Sequence, residues 1–307
     1  MKNWKYVLYS LLLFCPLSLH AQAPKGQVEF FCGADLNYAD VNFIRLYDLL
    51  IYLTPGMKWH PGDDWQLSLQ GQIPVINNGY MDHLPGSDRY KMIRLSNATV
   101  SKELHFDNAR QHFKLSAGLF SRERWGADLR WLVPVNSWLL LQAQAGLTRH
   151  YALGFDFHSN YESYIDGKWI ATGIAGMNVY LKPWNTEFRL SGGRYINEKL
   201  GAQFDVMRHF RHCTVLAYLQ VHERGTSYAD RHHAGGFKVI MMLPPYKDYA
   251  NKKVVLRPAS NFRLTYNAQS DGVSMKMYTT DPEENERELP VHVAWGTGSN
   301  PAGLNNN

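Results

Sequence analysis

Apolar and polar residues alternate one by one along most of this chain, and the alternation survives a long succession of turns. Within residues 186–245, Phe188, Leu190 and Gly192 oppose Glu187, Arg189 and Ser191, while Leu200, Ala202, Phe204 and Val206 oppose Gly201, Gln203 and Asp205. Cys213, Val215, Ala217, Leu219 and Val221 then share one face, as do Phe237, Val239, Met241 and Leu243 of the following run. A period of two carried through several hairpins predicts half-buried antiparallel strands. The same pattern is present near the start, where Val28, Phe30, Cys32, Ala34 and Leu36 oppose Glu29, Gly33, Asp35 and Asn37. Residues 50–59 alternate less cleanly and carry Pro55-Gly56, which predicts a bulge or an edge kink. Trp65, Leu67, Leu69, Gly71, Ile73 and Val75 then oppose Gln66, Ser68, Gln70 and Gln72. Glutamine at every other position does not suit a soluble core, so the apolar face is expected to meet lipid.

Further strands are expected at about residues 91–104, 115–119, 125–133, 139–147 and 169–181, about twelve in all, or fourteen if one more hairpin runs through residues 273–278. An even count is the expectation for a single-chain outer-membrane barrel. Connections after strands two, four, six, eight and ten are short, whereas those after strands one, three, seven and eleven are longer, with residues 121–124 a brief exception. Short periplasmic turns with longer external loops give this asymmetry. Trp59, Trp65, Trp131, Trp138 and Trp184 all fall beside short turns, which predicts an aromatic girdle at one membrane interface. The polar parity then lines the lumen with Glu29, Asp35, Arg94, Lys114, Asp128, Arg130, Glu187, Arg189, Gln203 and Asp205, placed either to contact a ligand or to rigidify the barrel through ion pairs. The expected fold is all-β, an antiparallel up-and-down transmembrane β-barrel of about 12 to 14 strands. It would occupy residues 22–245, with 246–280 as a closing hairpin or barrel extension. The acidic run and Gly/Asn-rich stretch of residues 281–307 predict a flexible periplasmic tail.

Residues 1–21 combine a basic start, an apolar run containing LLLF and a small-residue exit, the pattern of a secretory signal peptide. No later stretch supplies the roughly 20 apolar residues of a membrane helix. The expected location is the Gram-negative outer membrane, with lipid as the partner of the apolar face. The 307 residues carry a formal net charge of +5 with both signs interspersed, which leaves no basic stripe for nucleic acid. Cys32 and Cys213 fall on the apolar parity, as free thiols or as a disulfide pair.

Candidate chemistry is sparse. His209 and His212, and the pair His232-His233, lack the carboxylate- or cysteine-backed spacing of a zinc site and are expected as solvated rim residues. Asp35, Asp128, Glu187 and Asp205 could supply paired carboxylates for glycoside cleavage, but Arg94, Lys114, Arg130 and Arg189 share their parity, which favours ion pairs. No G-x-S-x-G element occurs, and no helix follows Ser191-Gly192-Gly193 to make a phosphate loop. No metal, cofactor or catalytic residue is therefore expected. The reading is of a protein that is not an enzyme, against the alternatives of a lipid- or glycan-modifying barrel enzyme and a secreted soluble β-sandwich.

The stretch SGGRYINEKLGAQFDVMRHF within residues 190–210, followed by GGFKVIMMLPP and by residues 257–263, resembles the YjbH-type outer-membrane β-barrel family. The earlier LTPGMKW, QGQIPV and LSAGLFSRERWGADLRW are consistent with it. The resemblance covers the second half of the barrel well and the first half loosely, and family members are usually much longer. It brings no catalytic residues. What it implies is a part in exopolysaccharide or capsule biogenesis or export, as accessory, scaffold or conduit.

Overall fold

The structure, a computed structural model, describes residues 25–39, 48–62, 64–78, 90–106, 111–151, 168–196, 198–210, 212–223, 233–244, 252–267 and 277–284. Strands form where the alternation is found. They are β1 (Gln27–Ala39), β2 (Asp48–Gly62), β3 (Trp65–Asn77), β4 (Arg94–Phe106), β5 (Gln111–Phe120), β6 (Arg124–Pro134) and β7 (Leu139–His150). After these come β8 (Trp169–Leu181), β9 (Thr186–Arg194), β10 (Leu200–His209), β11 (Cys213–His222), β12 (His233–Met241), β13 (Val254–Pro258) and β14 (Phe262–Asn267). From β1 to β12 each strand pairs antiparallel with the next. The expected signal segment, most of the longer loops and residues 285–307 lie outside the described residues.

The sheet closes on itself through β13 and β14, which occupy one place between β12 and β1. Both pair parallel with β1, β13 over Val28–Cys32 and β14 over Asp35–Ala39. From Cys32↔Pro258 to Asp35↔Arg263, three steps along β1 correspond to five along the closing strand, so a two-residue bulge divides it. The barrel therefore has thirteen staves, within the expected 12 to 14 but odd. In a meander successive strands reverse, so the first and thirteenth must run the same way, and the closing pair cannot be antiparallel. Two arginine–carboxylate pairs pin this seam. Arg263 meets Asp35 through two bonds, Nε to Oδ1 at 2.9 Å and Nη2 to Oδ2 at 2.8 Å. Arg257 donates Nε to Glu29 Oε2 at 2.9 Å.

Which face is buried follows parity. On β6, Trp125, Ala127, Leu129 and Trp131 are exposed while Arg124, Asp128, Arg130 and Leu132 are buried, and on β11 every second residue from Thr214 to His222 is buried. The exposed set includes Phe30, Leu69, Val100, Leu115, Leu147, Leu219 and Phe237, so the outer wall is apolar from strand to strand. Cys32 and Cys213 are free thiols. Trp59, Trp65, Trp131, Trp138 and Trp184 are all exposed at the short-turn end. At the opposite end Trp125 and Trp169 pack edge to face at 4.8 Å. A 13-residue strand such as β8 spans roughly 40 Å, and a barrel tilt of about 40° brings its height to roughly 30 Å, enough for an apolar band of about 25 Å.

Two local expectations change. Pro55-Gly56 shifts no register, because β1 and β2 stay aligned from Gln27↔His60 to Ala39↔Asp48, and on the β3 side the pairing skips Thr54 and Pro55 and resumes unshifted at Gly56↔Gln70. The irregularities lie against β3, between Ile51 and Tyr52 and between Trp59 and Gly62. Gly56 is needed for packing, since a Cβ there would lie 2.4 Å from the Phe31 ring in the lumen. The expected strand through residues 273–278 is also not found where it can be seen. Residues 268–276 lie outside the described residues, and Tyr278 is a buried, non-strand residue inside the barrel.

The seam carries the first prediction. Asp35→Arg or Arg263→Asp each leaves like charges facing across the closing pair. Each is expected to lower barrel stability by about 2 kcal/mol, measured as a lower temperature for loss of the compact folded band in semi-native electrophoresis. The double exchange Asp35→Arg/Arg263→Asp should recover most of the loss.

Candidate functional site

The lumen is an enclosed polar space, and a segment of the chain itself fills part of it. Residues 277–284, MYTTDPEE, follow β14, whose end lies at the long-loop end of the barrel. Arg122, in the β5–β6 turn at that end, donates to the Met277 carbonyl, and the Ser121 N–H donates to the Thr279 carbonyl at 3.1 Å. Tyr278 lies flat on Phe120, with ring centroids 5.1 Å apart and planes 10° from parallel, and donates its hydroxyl to Asp128 Oδ2 at 2.8 Å. Thr99 of β4 donates to the Thr280 carbonyl at 2.8 Å. The segment thus runs inward from the long-loop end as a plug.

Its acidic end meets cations from four strands. Lys58 of β2 reaches Asp281 Oδ1 at 2.8 Å and Glu283 Oε2 at 3.0 Å. Lys114 of β5 lies 3.6 Å from Asp281 Oδ2. Arg257 of β13 grips Glu283 with two bonds of 2.6 Å while also holding Glu29 of β1. Arg130 of β6 pairs with Glu284 and with Asp128. The seam bulge completes the socket, for the Ser260 N–H donates to Glu283 Oε1 at 2.9 Å and Asn261 donates to the Pro282 carbonyl. Asp281, Glu283 and Tyr278 are buried. The acidic stretch was expected as an exposed flexible tail from residue 281, and for residues 281–284 the structure corrects this. Burial of carboxylates is tolerated here because each is paired and hydrogen-bonded.

All ten polar residues expected in the lumen point there, though in separate groups. Glu29 and Asp35 hold the seam. Lys114, Asp128 and Arg130 hold the plug. Arg94 sits near the long-loop end, bonded to Gln72, to Glu123 at 2.6 Å and to the Tyr52 hydroxyl. Glu187, Arg189, Gln203 and Asp205 line the opposite wall. There Arg189 lies between Glu187 and Asp205, at 3.7 and 4.0 Å, and Gln203 donates to Asp205 at 2.6 Å and accepts from Gln220. Each of Asp35, Asp128, Glu187 and Asp205 is thus engaged by wall groups.

His209 is not the solvated rim residue expected from its place beside a turn. It is buried, with Nε2 3.1 Å from Glu187 Oε2 and Nδ1 3.1 Å from Thr214 Oγ1. Hydroxyl, imidazole and carboxylate in line have the connectivity of a hydrolytic triad. Thr214 and Glu187 are fully buried, and Asn178 also binds Glu187, so the chain of bonds ties β8, β9, β10 and β11 together. Among the described residues no group of three or more histidine, cysteine or carboxylate side chains could hold a metal ion.

Sequence reasoning missed Lys58, Arg257, Arg263, Tyr278, Asp281, Glu283 and Glu284. Lys58 and Arg263 have the correct parity, each flanked by apolar neighbours in its strand. The plug carries no periodic signal at all. No protein-family model, curated protein or solved structure matches this chain.

The plug carboxylates lie outside the strands, and their acidity follows from their socket. Burial opposes ionisation of Asp281, but Lys58 and Lys114 outweigh it and hold its carboxyl well below the ordinary range. For Glu283 burial is likewise outweighed, by Lys58 and Arg257, and its carboxyl falls to about 2. A depressed acid contributes stability that is complete above its undocked pKa and is lost as pH falls through the docked one. The plug should therefore stay docked through pH 4, where free carboxylates begin to protonate, and loosen only near pH 2. A nitroxide at Thr279→Cys, in a Cys32→Ser/Cys213→Ser background, reports this as a mobility change in the electron paramagnetic resonance spectrum. A second expectation concerns Gly146 of β7, where an added Cβ would lie 1.7 Å from the Tyr278 hydroxyl. Gly146→Val should mobilise the same label at neutral pH, whereas Gly173→Val, where an added Cβ meets nothing within 4 Å, should not.

Proposed function

We propose that this protein is an outer-membrane β-barrel that serves exopolysaccharide or capsule biogenesis as an accessory, scaffold or gated conduit, without catalysing a reaction. The observation that carries the membrane reading is the outer wall. Apolar residues cover it on consecutive strands, tryptophans mark both ends, and the polar groups are turned inward. A closed sheet pairs its backbone groups without water, which is the condition for crossing a bilayer with strands. A soluble barrel or sandwich has no use for such a surface.

The polysaccharide part rests on the resemblance of residues 190–210 and 235–245 to the YjbH-type family, and the lumen chemistry is compatible with it. Tyrosine, glutamine and arginine side chains line the interior at Tyr52, Gln70, Gln72, Tyr218 and Arg94 and are suited to bonding sugar hydroxyls. A barrel whose interior is occupied by its own plug does not act as a constitutive pore, which favours a docking or gated role over free diffusion.

Cell fractionation and electrophoresis with and without boiling test the membrane reading. Recovery in the outer membrane with a boiling-dependent shift is expected, and recovery as a soluble periplasmic protein with no shift would overturn it. Deletion of the gene is expected to reduce surface polysaccharide several-fold without loss of other envelope polymers. Unchanged surface polysaccharide would remove the biogenesis role and leave the barrel.

A further inference from the structure

The plug reproduces, in peptide form, the chemistry of an acidic sugar chain. Tyr278 lays a flat ring against Phe120, as a pyranose ring lies against an aromatic side chain, and its hydroxyl bonds Asp128. Three carboxylates follow within four residues, each met by basic side chains of the wall. These cations come from β2, β5, β6 and β13, with side chains only 8–17% exposed. They converge on a turn of the plug, in which the Glu284 N–H donates to the Asp281 carbonyl at 3.1 Å and Lys58 meets both Asp281 and Glu283, and so form a compact cationic socket.

The wall does not need the plug in order to close. Every stave pairs with both neighbours, including β1 with β2 on one side and with β13 and β14 on the other. Residues 277–284 add no strand to that sheet. The segment can therefore leave without breaking a backbone ladder, at the cost of its own ion pairs and ring contact.

We propose that the lumen wall formed by Lys58, Lys114, Arg130 and Arg257 is a binding socket for a short stretch of a uronic-acid polysaccharide, and that residues 277–284 occupy it as a displaceable internal mimic. The polymer offers carboxylates to the cations and a sugar face to Phe120, and takes the place of Asp281, Glu283 and Glu284. The ligand class rests on the polysaccharide reading above, whereas the cationic socket rests on the geometry alone. Exchange of one polyanion for another leaves the buried cations compensated throughout, which keeps the displacement from stranding charge in the wall.

The test uses the purified full chain in detergent, carrying the Thr279→Cys nitroxide. Oligogalacturonate should mobilise the label in a saturable way, and neutral maltooligosaccharide of equal length should not. Lys58→Gln/Lys114→Gln, which also frees the label by loosening the plug, should weaken direct oligogalacturonate binding, read by isothermal titration calorimetry, at least tenfold, provided the variant keeps its boiling-dependent gel shift. In planar bilayers, a full-length variant with residues 277–284 replaced by Gly and Ser should conduct chloride in preference to potassium and be blocked by oligogalacturonate. If that variant does not fold, Asp281→Asn/Glu283→Gln/Glu284→Gln serves instead, and its label should be mobile without ligand.

No response to oligogalacturonate, an equal response to the neutral sugar, or preference for potassium would overturn the proposal. A full response to oligogalacturonate combined with unchanged surface polysaccharide on gene deletion would keep the socket and discard the biogenesis role.

Discussion

The parallel contact between β1 and the closing strand is the constraint on which the rest of this barrel depends. With thirteen staves the first and last must run in the same direction, so closure uses slanted parallel bonds where every other neighbour uses antiparallel ones. Parallel pairing is slightly less stable per residue, and here it is also interrupted by a bulge. The side chains at this seam compensate directly. Asp35 and Arg263 face each other in register, and Arg257 reaches back to Glu29. The same odd count leaves the end of β14 at the long-loop end of the barrel, where the plug enters. An even barrel would bring its closing strand back to the short-turn side, and a segment of this length would have no reason to enter from the opposite mouth.

Seam and plug are one electrostatic unit because Arg257 belongs to both. Its guanidinium holds Glu29 of β1 and Glu283 of the plug together, and Lys58 of β2 meets the same Glu283 oxygen, Oε2, at 3.0 Å. The bulge that weakens the ladder turns the Ser260 N–H into the lumen, where Glu283 accepts it. A backbone donor lost to the sheet is thereby satisfied by the plug. Buried ion pairs seldom add much net stability over an apolar filling, but an unmatched member is costly, so a network of this kind specifies one docked arrangement.

The strand positions were legible because in a barrel with an apolar outer wall and a polar lumen the two faces of every strand differ in chemistry, and that difference is written at a spacing of two. Cys213 to His222 is the clearest case, with each outward residue apolar. The tryptophans of the short-turn end were legible for the same reason. The odd count was not, because β13 and β14 are only 5 and 6 residues long and a bulge resets the parity between them. The plug was illegible on physical grounds. Asp281 finds Gln66 at a separation of 215 residues and Glu284 finds Arg130 at 154, so nothing local distinguishes its carboxylates from those of a solvated tail. His209 was misplaced likewise, since the groups that bury it, Glu187 and Thr214, lie on two neighbouring strands.

The two walls of the lumen are organised differently, and this bears on how the barrel could open. On the side of β8 to β12 the interior is filled from the wall itself, by Asn178, Glu187, His209 and Thr214 near the turns and by Gln203, Asp205 and Gln220 further along. Met207, Leu216 and Tyr218 add a small apolar cluster there. Those contacts join adjacent strands and are as permanent as the sheet. On the side of β2 to β6 and β13 the filling is instead a separate piece of chain, attached by side-chain and backbone bonds that cross no ladder. Any rearrangement that preserves the closed sheet must therefore take place on the second side. The surface it would uncover is the cationic one, so charge and accessibility are coupled by the architecture before any ligand is considered.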